Sequence, residues 1–187
     1  MTKIFGFIGR ARNGKSTAAD VFEVQSKNLG LSVGLYDIGA AVLKYCIANN
    51  LIPAKKREDL LPEELSVLQQ VGKAKREENP NYWINQIEAA IAADAKNIAL
   101  IPNVRYTNEA RMVKQRGGAI IRTTALNLDG SEYIAEDRPP NHPSETELWS
   151  YPADFHITAY RGQIQLVHMF AATIFDHVIH TSRAEVL

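Results

Sequence analysis

Gly9-Arg-Ala-Arg-Asn-Gly14-Lys15-Ser16 is the stretch from which the rest of the chain is read. It fits G-x-x-x-x-G-K-[ST] at every defined position, the spacing of a phosphate-binding loop. The glycines let the backbone curl until successive N–H groups converge on a phosphate, and a helix starting there adds partial positive charge. The flanks supply the context that the motif needs. Before it, Lys3-Ile-Phe-Gly-Phe-Ile8 is a short β-rich run. After it, Ser16 to Asn28 carries Ala18, Val21, Phe22 and Val24 at helical spacing and closes at Gly30. In strand–loop–helix order, Lys15 is expected to reach the β/γ-phosphates of ATP and the Ser16 hydroxyl to sit on Mg²⁺. Gly9, Arg12, Asn13, Gly14 and Thr17 complete the expected nucleotide-binding set. ATP and Mg²⁺ are the expected cofactors.

Further along, strand and helix signals alternate. Leu31 to Asp37 reads as a second strand and Ala40 to Asn49 as a helix. From Lys55 to Lys96 the chain is charged, with Leu65, Leu68, Val71, then Trp83, Ile84, Ile87, Ile91 at helical spacing and a break at Asn79-Pro80. Asn97 to Asn103 is a third strand, Asn108 to Arg116 a helix, Ala119 to Arg122 a fourth strand. Leu126 to Ser144, rich in Asn, Asp, Gly and Pro, reads as a long loop. Phe155 to Thr158 is a fifth strand and Gly162 to His180 a closing helix. Such alternation predicts a mainly parallel five-stranded sheet with helices on both faces, the α/β three-layer arrangement of P-loop NTPases. No linker, repeat or low-complexity tract divides it, so residues 1–187 are expected to form a single domain. Within it, about 40–96 would be a helical acceptor-binding region and about 126–144 a lid loop.

Composition limits the partners. The 187 residues are 45% apolar and 22% charged, with 21 basic and 21 acidic side chains. A zero formal balance argues against holding nucleic acid through a broad phosphate footprint. The single cysteine, Cys46, permits no intramolecular disulfide and suits a reducing compartment. No run approaches the ~18 apolar residues of a membrane span, and Ile4 to Ile8 is too short for a signal core. A cytoplasmic protein acting on small molecules is the expectation, with no nucleic-acid or membrane partner.

The loop alone does not choose a reaction. A GTPase needs a guanine-reading N-K-x-D, and no such tetrapeptide occurs. Motor and DNA-acting ATPases usually carry an acidic strand end, whereas Ile98-Ala-Leu-Ile-Pro leads into Asn103. The short length favours a small-molecule kinase.

Three later segments sharpen that. Leu68-Gln-Gln-Val-Gly72-Lys-Ala-Lys-Arg76, followed by Trp83-Ile84, resembles the L-Q-x-x-G…R…W-[VI] stretch of phage-type deoxynucleoside monophosphate kinases. Asn103-Val-Arg105-Tyr-Thr-Asn108-Glu109-Ala110 resembles their D-V-R-[FY]-x-N-E-A segment, and His142-Pro-Ser144-Glu145-Thr-Glu-Leu148 their H-x-S-E-x-x-L segment. With the phosphate loop, these span residues 9 to 148 in the family's order. The resemblance implies transfer of the ATP γ-phosphoryl to a deoxynucleoside 5′-monophosphate. It implies acceptor-side roles for Arg76 and Arg105, since arginine forks suit a monophosphate. Asp37, Lys44 and Trp83 join them as substrate-side candidates, Asp37 being equally suited to cap a helix. Arg122 and Arg138 would reach the transferring phosphate from the lid, and Arg161 would stack on adenine. For Arg105 an ion pair with Glu109 is the plainer alternative, for Arg76 a solvated helix face, and for Arg138 a loop-tip charge.

One departure stands out. Asn103 occupies the place of the family's Asp, keeping an acceptor oxygen for the hydrated Mg²⁺ and losing the charge. A kinase with another acceptor, of the dephospho-coenzyme A type, stays open on these residues, as does a nucleotide-binding module with impaired turnover. His177 and His180 lie three apart beside Asp176, but a zinc site needs more ligands, and a solvated helix end explains them. A homodimer is compatible with these residues. A phage-encoded chain would work in its host's cytoplasm.

Overall fold

β1 (Lys3–Ile8) lies at the centre of the sheet, and successive side chains point to opposite faces. Phe5 and Phe7 face a helical layer containing Phe22 and Phe175, while Gly6 faces Val104, Val113 and Ile120. The computed structural model describes residues 2–136, 141 and 143–184. After β1 come α1 (Lys15–Asn28), β2 (Val33–Leu35), α2 (Ile38–Ala48), α3 (Pro62–Glu78), α4 (Tyr82–Asp94) and β3 (Ile98–Ile101). Then follow α5 (Thr107–Gln115), β4 (Ala119–Leu126), the one-turn α6 (Pro143–Thr146), β5 (Phe155–Tyr160) and α7 (Ile164–Ala184).

The five strands lie in the order β2-β3-β1-β4-β5. Every strand pairing is parallel, with Phe5 opposite Leu100 on one side and Ala119 on the other. Burial explains the composition of the central strands. β3 is apolar throughout because both faces are covered. On the α1/α7 face, Phe22 meets Phe5, Phe7 and Phe175 edge-on at centroid distances of 5.0, 5.2 and 5.3 Å. Each such ring contributes about 1.5–3 kcal/mol by burial, and the edge-to-face geometry adds to that.

The chain divides into two compact units, residues 1–35 with 96–187, and residues 36–95. The first holds the sheet with α1, α5 and α7. The second is helical and enters the sequence between β2 and β3. Asp37 starts it as the N-cap of α2, its Oδ1 accepting from the Ala40 N–H at 3.0 Å. The unit's core is Val42, Cys46, Leu68, Trp83, Ile84 and Ile87, all buried. Trp83, 1% exposed, donates its indole N–H to Gly72 O at 3.1 Å and stacks edge-on with Tyr45 and Tyr82. Burial pushes the Cys46 thiol pKa up, as expected of an inert small hydrophobe.

At the unit's two ends, the Tyr36 hydroxyl donates to Asp94 Oδ2 at 3.0 Å. Desolvation first, then that carboxylate, pushes the Tyr36 pKa up to about 12. A raised phenol pKa stabilises the fold below the ordinary tyrosine value, near 10, and that contribution is lost as pH climbs through about 12. Tyr36→Phe should remove one late-ionising phenol from the absorbance titration of the native protein and flatten the loss of stability between those two values. Loss instead of a phenol that ionises near 10 would show that the Tyr36–Asp94 contact is not made in solution.

Candidate functional site: the loop after the central strand

In a sheet ordered this way the connections from β1 and β3 leave in opposite directions, and ligands bind outside the carboxyl ends of the strands at such a switch point. Three segments meet there: the loop after β1, the turn after β3 and the end of β4.

The first is Gly9 to Gly14. Gly9 has φ +136° and Gly14 φ +88°, both in the region that favours glycine. A Cβ on Gly9 would stand 2.3 Å from Thr123 O, so close approach to β4 also demands its absence. Arg12 takes a left-handed φ of 61° between them. Gly14 is the N-cap of α1 and makes no side-chain cap hydrogen bond, and the helix has no acidic residue in its first turn. The first-turn N–H groups and the positive helix end therefore face the ligand side without a carboxylate of their own. Lys15, 4% exposed, folds its ammonium onto Gly9 O at 2.9 Å and Arg10 O at 2.8 Å, over the loop. Ser16 is exposed and Thr17 half-buried on the first turn of α1. Asn13 is buried, and its Oδ1 is the buried side-chain atom with no hydrogen-bond partner among the described residues. Two positive-φ glycines, a helix start without a side-chain cap and an orphan acceptor in the loop fit a polyphosphate and its hydrated cation.

The second segment runs from Asn103 to Glu109. Asn103 is half-buried just past β3, beside the strand that carries the loop. Glu109, 3% exposed, does not pair with the Arg105 guanidinium. Its Oε2 accepts the backbone N–H groups of Arg105 (2.7 Å) and Tyr106 (3.2 Å), fixing the start of α5. The guanidinium pairs with Glu145, Nη1 to Oε1 at 2.8 Å, and Nη1 also donates to Ser144 O at 3.3 Å. The ion pair foreseen with Glu109 is thus made forty residues further along.

The third segment is the stretch from β4 to Tyr151. Arg122 donates from Nη2 to Leu148 O (2.8 Å) and Tyr151 O (2.7 Å), so it ties a turn to β4. Its burial lowers the guanidinium pKa, and Glu132 partly offsets that. Residues 126–132 fold back as a tight turn with an antiparallel Leu126–Glu132 bridge, closed by Asp129 accepting from the Ser131 N–H and hydroxyl. Tyr133 and Ala135 then pack on Ala11 of the phosphate loop. Glu132 accepts from Asn13 Nδ2 at 3.3 Å and lies 3.6 Å from Arg10 Nε. Arg10 also lies over the Trp149 ring, 5.1 Å from its centroid. One cavity is lined by Gly9, Arg10, Arg105, Glu132, Glu145 and Trp149.

The remaining candidates sit elsewhere. Arg161 lies over the Tyr133 ring at 4.3 Å, so one face of its guanidinium is stacked on an aromatic side chain of the chain itself. Arg76, half-buried on α3, donates to Gly72 O at 3.1 Å, and Lys44 is exposed on α2. Trp83 is a core residue of the helical unit. Arg138, like His142, lies outside the described residues. His177 packs edge-on against Phe155, and no cluster of three metal-ligating side chains occurs among the described residues. Arg10, Glu132 and Trp149 escaped sequence reading; the one available signal was an arginine inside the loop at a position the motif leaves open.

A parallel sheet in this order, with this loop closing its central strand, is the α/β fold of the P-loop NTPases. The chain is similar in structure to a variant of the APS kinase of Mycobacterium tuberculosis, at 16% identity and a TM-score of 0.45, covering 94% of this chain and 95% of that one. It is also similar to a Chloroflexus aurantiacus protein assigned as a kinase, at 12% identity and a TM-score of 0.49, covering 98% and 97%. No protein-family model matches the sequence, and no curated protein matches it either. No helix among the described residues is long and apolar enough to cross a membrane.

Proposed function

We propose that this protein is an ATP-dependent kinase that phosphorylates a deoxynucleoside 5′-monophosphate to the diphosphate. One observation carries the reading: the loop that would hold the donor phosphates shares a cavity with Arg105, a cation at the end of the neighbouring strand. Phosphoryl transfer between two anions is mostly positioning and charge neutralisation, and it needs cations on both sides of the transferred group.

In this reading an acceptor phosphate oxygen bonds to the γ-phosphorus as the β–γ bridging oxygen leaves with ADP. The loop N–H groups and Lys15 hold the donor, and Lys15 follows the charge that grows on the leaving oxygen. Arg105 forks onto the acceptor phosphate, with Arg76 from the helical region as its second arginine and Arg138 from the lid. Asp37, Lys44 and Trp83 belong to the acceptor side, Asp37 and Trp83 by shaping the helical unit. Arg161 borders the donor base. Mg²⁺ would supply positive charge that offsets the phosphates. Ser16 would be its protein ligand, and Asn103 would orient a water in its shell. The whole chain then acts as one kinase domain with the inserted helices serving the acceptor.

Asn103 favours a second reading, a nucleotide-binding module with impaired turnover. An ADP-release assay over a panel of nucleoside monophosphates, with dephospho-coenzyme A included, separates the readings. Turnover on deoxynucleotides supports the first, turnover on dephospho-coenzyme A redirects the acceptor, and ATP binding without turnover leaves the module.

Arg105→Ala should weaken acceptor use by about 1.5–3 kcal/mol, the cost of a lost charge-assisted fork, with ATP affinity little changed. Arg76→Ala should act in the same direction. If ATP affinity fell and the acceptor KM held constant, the two sides of the site would be reversed.

A further inference from the structure

Glu145 stands on a one-turn helix, 5% exposed at its side chain, and both of its oxygens are engaged. Oε2 accepts the N–H of Ala11 in the phosphate loop at 2.7 Å, and Oε1 accepts Arg105 Nη1 at 2.8 Å. A buried carboxylate is retained at a cost unless its partners are charged or well aligned, and here it has one of each. The pairing is selective about which part of the guanidinium it uses. Nη1 takes both Glu145 and Ser144 O, while Nε and Nη2 make no hydrogen bond to the described residues. The Nε–Nη2 edge is one of the paired N–H edges with which arginine grips an oxyanion bidentately. Neighbouring bonds brace the segment that carries Glu145. Glu147 Oε1 accepts the Thr107 N–H at 2.7 Å, and Arg122 holds Leu148 O and Tyr151 O.

We propose that Glu145 is a positioning residue: it clamps Arg105 by Nη1 against the phosphate loop, so that the Nε–Nη2 edge is presented to a phosphate oxyanion. The clamp sets the distance between the loop and the arginine because one carboxylate touches both. Its link to acceptor use rests on the kinase reading above; the presentation of an oxyanion-binding edge does not.

The test therefore has two arms. In the first, inorganic phosphate is titrated into the protein while the guanidinium ¹⁵Nε signal of Arg105 is followed, assigned by its loss in Arg105→Lys. The wild-type signal should shift saturably. Glu145→Gln keeps one acceptor oxygen but turns a donor toward Ala11 N–H or Arg105, and phosphate affinity should fall about tenfold, as expected when one charge-assisted bond is lost. Glu145→Asp, which keeps the charge, should recover part of it. In the second arm, Glu145→Gln should raise the monophosphate KM about tenfold with the ATP KM nearly unchanged, and should add little in an Arg105→Ala background, since both act through one guanidinium. An Arg105 signal insensitive to phosphate in the wild type, or equal phosphate affinity in Glu145→Gln, overturns the proposal whatever the enzyme does. A full phosphate response in a protein that turns over no acceptor upholds the clamp and overturns the kinase reading. A loss confined to thermal stability, with phosphate affinity intact, reduces Glu145 to a fold contact and sinks the proposal as well.

Discussion

Lys15→Ala should lower phosphoryl transfer by at least ~10²-fold, because a charge contact that strengthens as the leaving oxygen develops is removed. The position of the ammonium adds a second consequence. Lys15 is buried on Gly9 O and Arg10 O, and on its removal Arg10 O keeps the Asn13 N–H at 3.3 Å while Gly9 O loses its ammonium donor. A buried acceptor left without a partner costs about 1–3 kcal/mol. The variant should therefore melt somewhat earlier while staying folded at room temperature. Turnover is to be compared at a temperature where circular dichroism shows both proteins native. Near wild-type turnover in the folded variant would remove the kinase assignment, since no other described lysine lies in the loop.

Gly9→Ala should be the most damaging small substitution for stability. The added Cβ meets a backbone oxygen, Thr123 O, at 2.3 Å, and the φ of +136° is foreign to alanine. Neither fault can be relieved by turning a side chain. β1 and β4 are hydrogen-bonded neighbours, with Ile8 opposite Arg122, so the loop cannot back away without opening the sheet. Strain of this kind costs about 1–3 kcal/mol for the dihedral alone. Together with the clash, a loss of at least about 3 kcal/mol is expected, which lowers Tm by roughly 6–12 °C at this chain length. A melting temperature within a degree or two of wild type would mean that the loop does not hug β4 in solution.

These two predictions draw on the part of the molecule that was plainest in the sequence. The phosphate loop is contiguous, so eight residues carry its whole geometry, and the flanking strand and helix obey the simple periods of two and 3.6. The parallel sheet followed from alternation alone. What could not be read was anything that depends on distant partners. Arg105 has a glutamate four residues away, and local reasoning paired them, yet Glu109 turns to the backbone to start α5 and Glu145 takes the guanidinium. The stretch after β4 has the composition of a loop. Asp129 and Ser131 nonetheless make it a tight turn whose far side, Tyr133 and Ala135, is buried on Ala11. Trp83 drew notice through the family resemblance, and its aromatic bulk serves the core of the helical unit. Arg161 is expected at adenine from its place after β5, and its stacking on the chain's own Tyr133 is set by the fold. In each case the residue type was informative, and the partner was fixed by tertiary packing that no window of ten or twenty residues contains.

The Tyr36–Asp94 contact bears on how the molecule assembles itself. Strand β2 must find β3 across the whole inserted segment, with Val33 opposite Ile98, and such non-local pairing slows folding. Closing a chain of that length from a random coil costs about 0.6 kcal/mol for every doubling of the loop. When residues 36–95 condense first, the hydrogen bond between Tyr36 and Asp94 joins the two ends of the excursion. The remaining search is that of a hairpin-sized connection, about four doublings shorter, and the entropic barrier drops by roughly 2 kcal/mol. An insertion that condensed first would make a distant strand pair effectively adjacent, and Tyr36→Phe is then expected to slow refolding in a stopped-flow measurement.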